Sequence, residues 1–166
     1  MDFTIGFDKD DLKTLHKSWD KIISTNQWSE GYFTSLFEEK WSILNNIPAV
    51  SFSSWTGGSL AVLEYFNLSG KTVLCPSNTF MATPLSTVKA GCQIKFVDSN
   101  RDDLCLSLDD LSKKIDKYKP AAVWVVHIGG HIAFQIDEIA KLCKSKNIIL
   151  IEDCAHAHGA EWDGKA

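Results

Sequence analysis

Arginine is almost missing from this chain. Arg101 is the only one in 166 residues, and 17 basic residues face 21 acidic ones for a net charge of -4. Proteins that grip nucleic acid usually present a basic face, so the balance argues against that class. No run of like charges extends beyond a few residues, which excludes a charged tail. Long apolar runs are absent too: nothing approaches the roughly 18 consecutive apolar residues of a membrane span. The start, Met1-Asp2-Phe3-Thr4, lacks a basic region followed by an apolar stretch, so no secretory signal is expected. The five cysteines, Cys75, Cys92, Cys105, Cys143 and Cys154, are odd in number and form no C-x-x-C unit. They are read as reduced, mostly buried thiols of a cytoplasmic protein. A zinc site built from Cys143, Cys154, His156 and His158 would need a spacing that matches no common zinc pattern.

What is present is 45% apolar residues and enough chain for one domain with a real core. Residues 8–23 carry Leu12, Leu15, Trp19, Ile22 and Ile23 at helical spacing, with Asp8 as a candidate cap. A second amphipathic helix is expected over 32–44, through Phe33, Phe37, Trp41 and Leu44. After Pro48 the pattern changes. Strands are expected at 49–53, 71–75, 93–97, 121–126 and 147–151, and helices at 60–67, 79–90, 108–118 and 135–146. A turn is expected at 55–59, and Ser107 is a candidate cap for the helix at 108–118. The runs at 121–126 and 147–151 are nearly all apolar, as strands covered on both faces should be. This alternation predicts an α/β fold, a mainly parallel sheet with helices on both faces. The division expected is a helical segment over 1–47 and a sheet domain over 48–166. No internal repeat or low-complexity linker is visible.

In open parallel sheets ligands bind beyond the carboxyl ends of the strands, so the residues that follow each strand carry the functional reading. Thr56-Gly57-Gly58-Ser59 combines two permissive glycines with hydroxyls at a helix start, which suits a phosphate; a plain helix cap with a flexible turn is the alternative. The segment is neither the dinucleotide fingerprint nor a P-loop. In Pro76-Ser77-Asn78-Thr79-Phe80-Met81-Ala82-Thr83, Ser77 or Asn78 can cap a helix. Phe80 could stack on a flat ring, although the residues alone favour a core phenylalanine. In His127-Ile128-Gly129-Gly130-His131, His127 is read as structural and His131 is not assigned. Glu152-Asp153-Cys154-Ala155-His156-Ala157-His158-Gly159-Ala160 is the most informative stretch. Strand alternation sends Glu152 and Asp153 to opposite sides, and a buried carboxylate needs a positive partner. No arginine is at hand, so a ligand that brings its own positive charge, such as a protonated pyridine nitrogen, would answer the need. A metal held by Asp153, Glu152 and a histidine is the alternative, and no second cluster supports it.

Taken in order, these motifs resemble the DegT/DnrJ/EryC1/StrS sugar aminotransferases, a branch of the aspartate-aminotransferase fold. The resemblance runs from about Trp28 onward. It rests on Phe37-Glu38, the Thr56–Ser59 and Pro76–Thr83 segments, Gly91 to Asp98, Val126 to Gly130 and Ile151 to Ala160. It implies pyridoxal 5'-phosphate as cofactor, with Gly57, Gly58 and Ser59 at its phosphate, Phe80 stacked on its ring, Asp153 paired with the ring nitrogen and His156 near the phenolic oxygen. His156 stands where the family usually has glutamine. The loop reads Thr-Gly-Gly-Ser where the family usually has Ser-Gly-Thr-Ala, which moves one hydroxyl from position 58 to position 59.

The resemblance further implies a nucleotide-linked keto-sugar and an amino-acid donor, glutamate foremost, as substrates, and a homodimer at full length. It places the cofactor-linking lysine beyond Ala166. Lys165 matches a basic residue in a turn instead, and the C-terminal small domain is absent. The chain is therefore expected to be an N-terminal fragment, inactive alone. A sugar dehydratase of the same family, or a remnant that at most binds cofactor or a partner subunit, are the other implied readings. A dinucleotide fold would place an acid after its second strand, where Cys75-Pro76 stands.

Overall fold

The computed structural model describes residues 6–164; Lys165 and its expected turn lie outside them. The chain divides into two compact units, one ending at Ser51 and one beginning at Phe52. In the first, α1 (Lys9–Thr25) opens on a reciprocal cap. Asp8 accepts from the backbone N–H of Asp10 and Asp11, and the Asp11 side chain accepts from the Asp8 N–H. Helix α2 spans Tyr32–Asn45 and, like α1, contains no fully buried residue.

The strand expected at 49–53 does not form. The Ser51 N–H and hydroxyl both donate to Glu38 Oε1, at 2.8 and 2.7 Å, and the Ala49 N–H donates to Ser42 Oγ at 2.9 Å. Side chains of α2 thus take the donors that a strand ladder would use, and Val50 stays exposed. The two bonds from Ser51, the backbone one foremost, hold the Glu38 carboxyl below its usual pKa.

The second unit opens with α3 (Trp55–Tyr65), and here too the expectation is corrected. There is no turn at 55–59: the helix begins at Trp55, because Ser54 caps it by accepting the Gly57 N–H at 3.1 Å. Four strands follow: β1 (Thr72–Pro76), β2 (Gln93–Val97), β3 (Ala122–Val126) and β4 (Ile149–Asp153). They alternate with α4 (Ala82–Lys89), α5 (Leu108–Tyr118) and α6 (Ile136–Ser145). The helix expected from residue 79 starts at Ala82 and has no side-chain cap, so neither Ser77 nor Asn78 serves there. All strand pairs are parallel, in the order β2-β1-β3-β4, with Val126 opposite Asp153 at the carboxyl edge.

Strand alternation divides the core between the two sheet faces. Leu74, Val123 and Val125 pack with Leu111 and Ile115 of α5 and with Ile139 and Cys143 of α6. Val73, Ala122, Trp124 and Ile151 pack with Leu63 of α3. On that second face, Trp124 donates its indole N–H to Thr87 of α4 at 3.0 Å.

Candidate functional site

From β1 the chain runs out to β2 and returns to β3 on the other flank of β1. Loops leaving β1 and β3 therefore diverge, which opens a crevice at their carboxyl ends. Asp153 closes β4 at this edge and is buried. Its Oδ1 accepts the Trp55 indole N–H at 3.0 Å and the Ala155 N–H at 3.0 Å; its Oδ2 takes one long bond, from Thr83 Oγ1 at 3.4 Å. All three donors are neutral, and among the described residues no lysine, arginine or histidine forms an ion pair with it. A buried carboxylate held this way is stabilised but not neutralised, and Oδ2 keeps capacity for a cationic donor. The same pocket suppresses ionisation of Cys75: burial, and then the Asp153 charge, push its thiol up to about 12.

Glu152 points away from Asp153, as alternation requires, and its Oε2 lies 3.1 Å from Nε2 of His127. His127 is wholly buried, and its Nδ1 accepts the Ala133 N–H at 3.1 Å. The ring proton therefore sits on Nε2 and is donated to Glu152, a structural tie between β3 and β4. Glu152 and Asp153 do not converge on a metal. Among the described residues no group of three or more histidine, cysteine or acidic side chains could hold one, the set Cys143, Cys154, His156 and His158 included.

Gly57 and Gly58 lie in the first turn of α3, both without a positive φ. A Cβ added at either would meet nothing closer than 3.4 Å, so neither conformation nor packing demands glycine there. Alanine would favour the helix by about 1 kcal/mol. Close approach of a ligand to the backbone is a demand that does call for glycine; here the Gly57 N–H donates to Ser54 Oγ at 3.1 Å and the Gly58 N–H to the Ser54 carbonyl at 3.2 Å, so a phosphate would take the Gly57 donor only by displacing the Ser54 side chain. The Ser59 hydroxyl does not join them: Ser59 is buried, and its Oγ lies 2.7 Å from Ser86 Oγ of α4.

Phe80 is 76% exposed just ahead of α4, so the reading of it as a core residue is corrected and its ring is available to a ligand. His156 is exposed, with Nδ1 3.4 Å from the Gly129 N–H. Its carbonyl lies beside Gly130, at φ +89°, where a Cβ would come within 2.9 Å of it. His131 places Nε2 2.8 Å from the Asp103 carbonyl.

Three residues escaped the sequence reading. Trp55 and Thr83 hold Asp153 from 98 and 70 positions away, a separation no local pattern reveals. Asp103 is buried at the loop between β2 and α5, accepting the Cys105 N–H at 2.9 Å and the Phe134 N–H at 2.7 Å. Its position in Asp102-Asp103 reads as an ordinary solvated pair. No helix among the described residues is long and apolar enough to cross a membrane.

Comparison with known proteins adds to this geometry. GDP-perosamine synthase of Escherichia coli O157:H7 is 33% identical over 139 residues, covering 82% of this chain and 38% of that protein. The solved 3-amino-5-hydroxybenzoic acid synthase superposes with a TM-score of 0.88 at 22% identity, over 99% of this chain and 43% of its own. E. coli GDP-4-keto-6-deoxy-D-mannose-3-dehydratase, solved with bound hydrated PLP, gives 0.86 at 20% identity, over 98% and 42%. The chain thus spans less than two fifths of the length of the first curated relatives it matches. The family model matches residues 9–166, nearly the whole sequence, and the chain belongs to the DegT/DnrJ/EryC1/StrS aminotransferase family.

Proposed function

We propose that this chain forms the cofactor floor of a pyridoxal-phosphate-dependent enzyme that moves an amino group from an amino acid, glutamate foremost, to a nucleotide-linked keto-sugar. The observation that carries the reading is Asp153: a buried carboxylate with only neutral donors and an underused Oδ2 at the carboxyl edge of a parallel sheet. The donor set fits a protonated pyridine nitrogen, the one cationic atom of the cofactor ring. On this reading Asp153 would hold the ring nitrogen, and the first turn of α3 at Gly57 and Gly58 would take the phosphate, which would replace the Ser54 hydroxyl on the Gly57 N–H. Phe80 would cover the ring face, and His156 would donate near the phenolic oxygen. Ser59 contributes by tying α3 to α4 through Ser86 rather than by touching the phosphate. Bound pyridoxal phosphate supplies an electron sink that eases proton removal beside the transferred nitrogen. Asp153 keeps the ring nitrogen charged, and the chain's other residues bind and orient; none of them is assigned the covalent link to the cofactor.

A sugar dehydratase would use the same floor, and the fold shared with the PLP-bound E. coli dehydratase supports that second reading. The exposed Trp19, Ile23 and Trp28 of the first unit support a full-length protein in which a second copy covers that surface. Equilibrium dialysis of pyridoxal phosphate against the wild type and Asp153→Ala tests the proposal. Saturable binding that drops at least tenfold in the variant is expected. Equal binding by both proteins would remove Asp153 from the site.

A further inference from the structure

We propose that Trp55 is the positioning residue for Asp153, fixing the carboxylate so that Oδ2 faces the cofactor; the inference rests on the pyridoxal-phosphate reading above. The Trp55 Nε1–H donates to Oδ1 at 3.0 Å, and the Ala155 N–H donates to the same oxygen at 3.0 Å. Two donors on Oδ1 set the rotation of the carboxylate and leave Oδ2 with the single 3.4 Å bond from Thr83. The indole is itself held. It packs on Trp124 of β3, with ring centroids 5.7 Å apart and planes at 40°, and Trp124 is anchored by its own N–H to Thr87. Thr87 in turn donates to the Thr83 carbonyl at 2.8 Å. The carboxylate is thus enclosed by a continuous set of contacts from α3, β3 and α4.

Trp55 is also the first residue of α3, two and three positions ahead of Gly57 and Gly58. One helix start therefore carries both the phosphate seat and the donor that aims the ring acid. Any shift of α3 moves the two together, so the distance from the first turn of α3 to Asp153 is held by the Trp55–Asp153 bond. An indole that only filled core would not need its N–H on the carboxylate, and phenylalanine would serve.

The test compares two ligands on the full chain: pyridoxal phosphate, and its carbocyclic analogue with C–H in place of the ring nitrogen. Two variants are used: Trp55→Phe, and a chain with benzothienylalanine at position 55, which keeps the indole shape but puts sulfur where the N–H was. The second keeps the test open if phenylalanine disturbs the fold. Loss of one hydrogen bond to a charged group predicts about tenfold weaker binding of pyridoxal phosphate and unchanged binding of the analogue. Equal weakening of both ligands would reduce Trp55 to a packing residue, and unchanged binding of both would dismiss it; either overturns the inference. If the wild type binds neither ligand, or does not distinguish them, the underlying reading of Asp153 fails and the inference with it.

Discussion

Asp103→Ala should loosen the rim of the crevice. Asp103 is 3% exposed, and its two carboxylate oxygens accept the N–H groups of Cys105 at 2.9 Å and Phe134 at 2.7 Å. A hydrogen bond to a charged group contributes about 1.5–3 kcal/mol, so the pair is worth roughly 3–6 kcal/mol. Removing the carboxylate also relieves its desolvation, and the Phe134 N–H, on a partly exposed residue, can turn to water. The net loss is therefore placed near the lower end, about 3 kcal/mol. With a urea slope of about 1–3 kcal/mol per molar, the midpoint should fall by about 1–3 M. Asp103→Asn keeps one acceptor and should lose about half as much. Hydrogen exchange should accelerate at the Cys105 and Phe134 amides in Asp103→Ala and at one of the two in Asp103→Asn, because the acid joins two loops 31 positions apart. A midpoint within about 0.3 M of the wild type, or unchanged exchange at those two amides, would refute the account of Asp103 as a clamp.

Gly58→Ala should leave stability unchanged or raise it by up to about 1 kcal/mol, since the new Cβ meets Phe52 at an ordinary 3.4 Å. It should weaken pyridoxal phosphate binding in dialysis; unaltered affinity would remove the phosphate from this turn. Cys154 is the exposed thiol and the other four are buried, so a thiol reagent should modify one cysteine in the native protein and five in denaturant, counted by mass. Stability should also fall in alkali. Burial, joined by the Asp153 charge, holds Cys75 protonated to about 12, and burial holds Cys143 to about 11, from an ordinary 9.0. The unfolded chain sheds these protons above about pH 9 while the fold retains them. Each thiol then costs up to about 1.4 kcal/mol per pH unit until its folded pKa is reached. Equal urea midpoints at pH 8 and pH 10.5 would contradict this.

The sheet was legible because its central strands are unbroken apolar runs: Ala122–Val126 is buried at every position, as the composition of 121–126 demanded. Alternation also separated Glu152 from Asp153 correctly. The segment 49–53 misled because its apolar residues imitate a strand, while the side chains that take its donors, Glu38 and Ser42, lie in the preceding helix. The start of α3 was misplaced because two glycines read as a turn, and the Ser54 cap outweighed their poor helix propensity. The need of Asp153 for partners was readable from its burial. Their identity was not, since an indole N–H from position 55 and a hydroxyl from position 83 reach it only through the tertiary fold.

The protonation state of the ring nitrogen tests the central claim most directly. Pyridoxal phosphate labelled with 15N in its ring, bound to this chain, should give a pyridinium-like nitrogen resonance at pH 8. The same ligand bound to Asp153→Asn should give a pyridine-like one, because the amide cannot hold the proton on the ring. Identical resonances in the two proteins would show that Asp153 does not face the ring nitrogen, and the assignment of this edge of the sheet as the cofactor floor would be wrong.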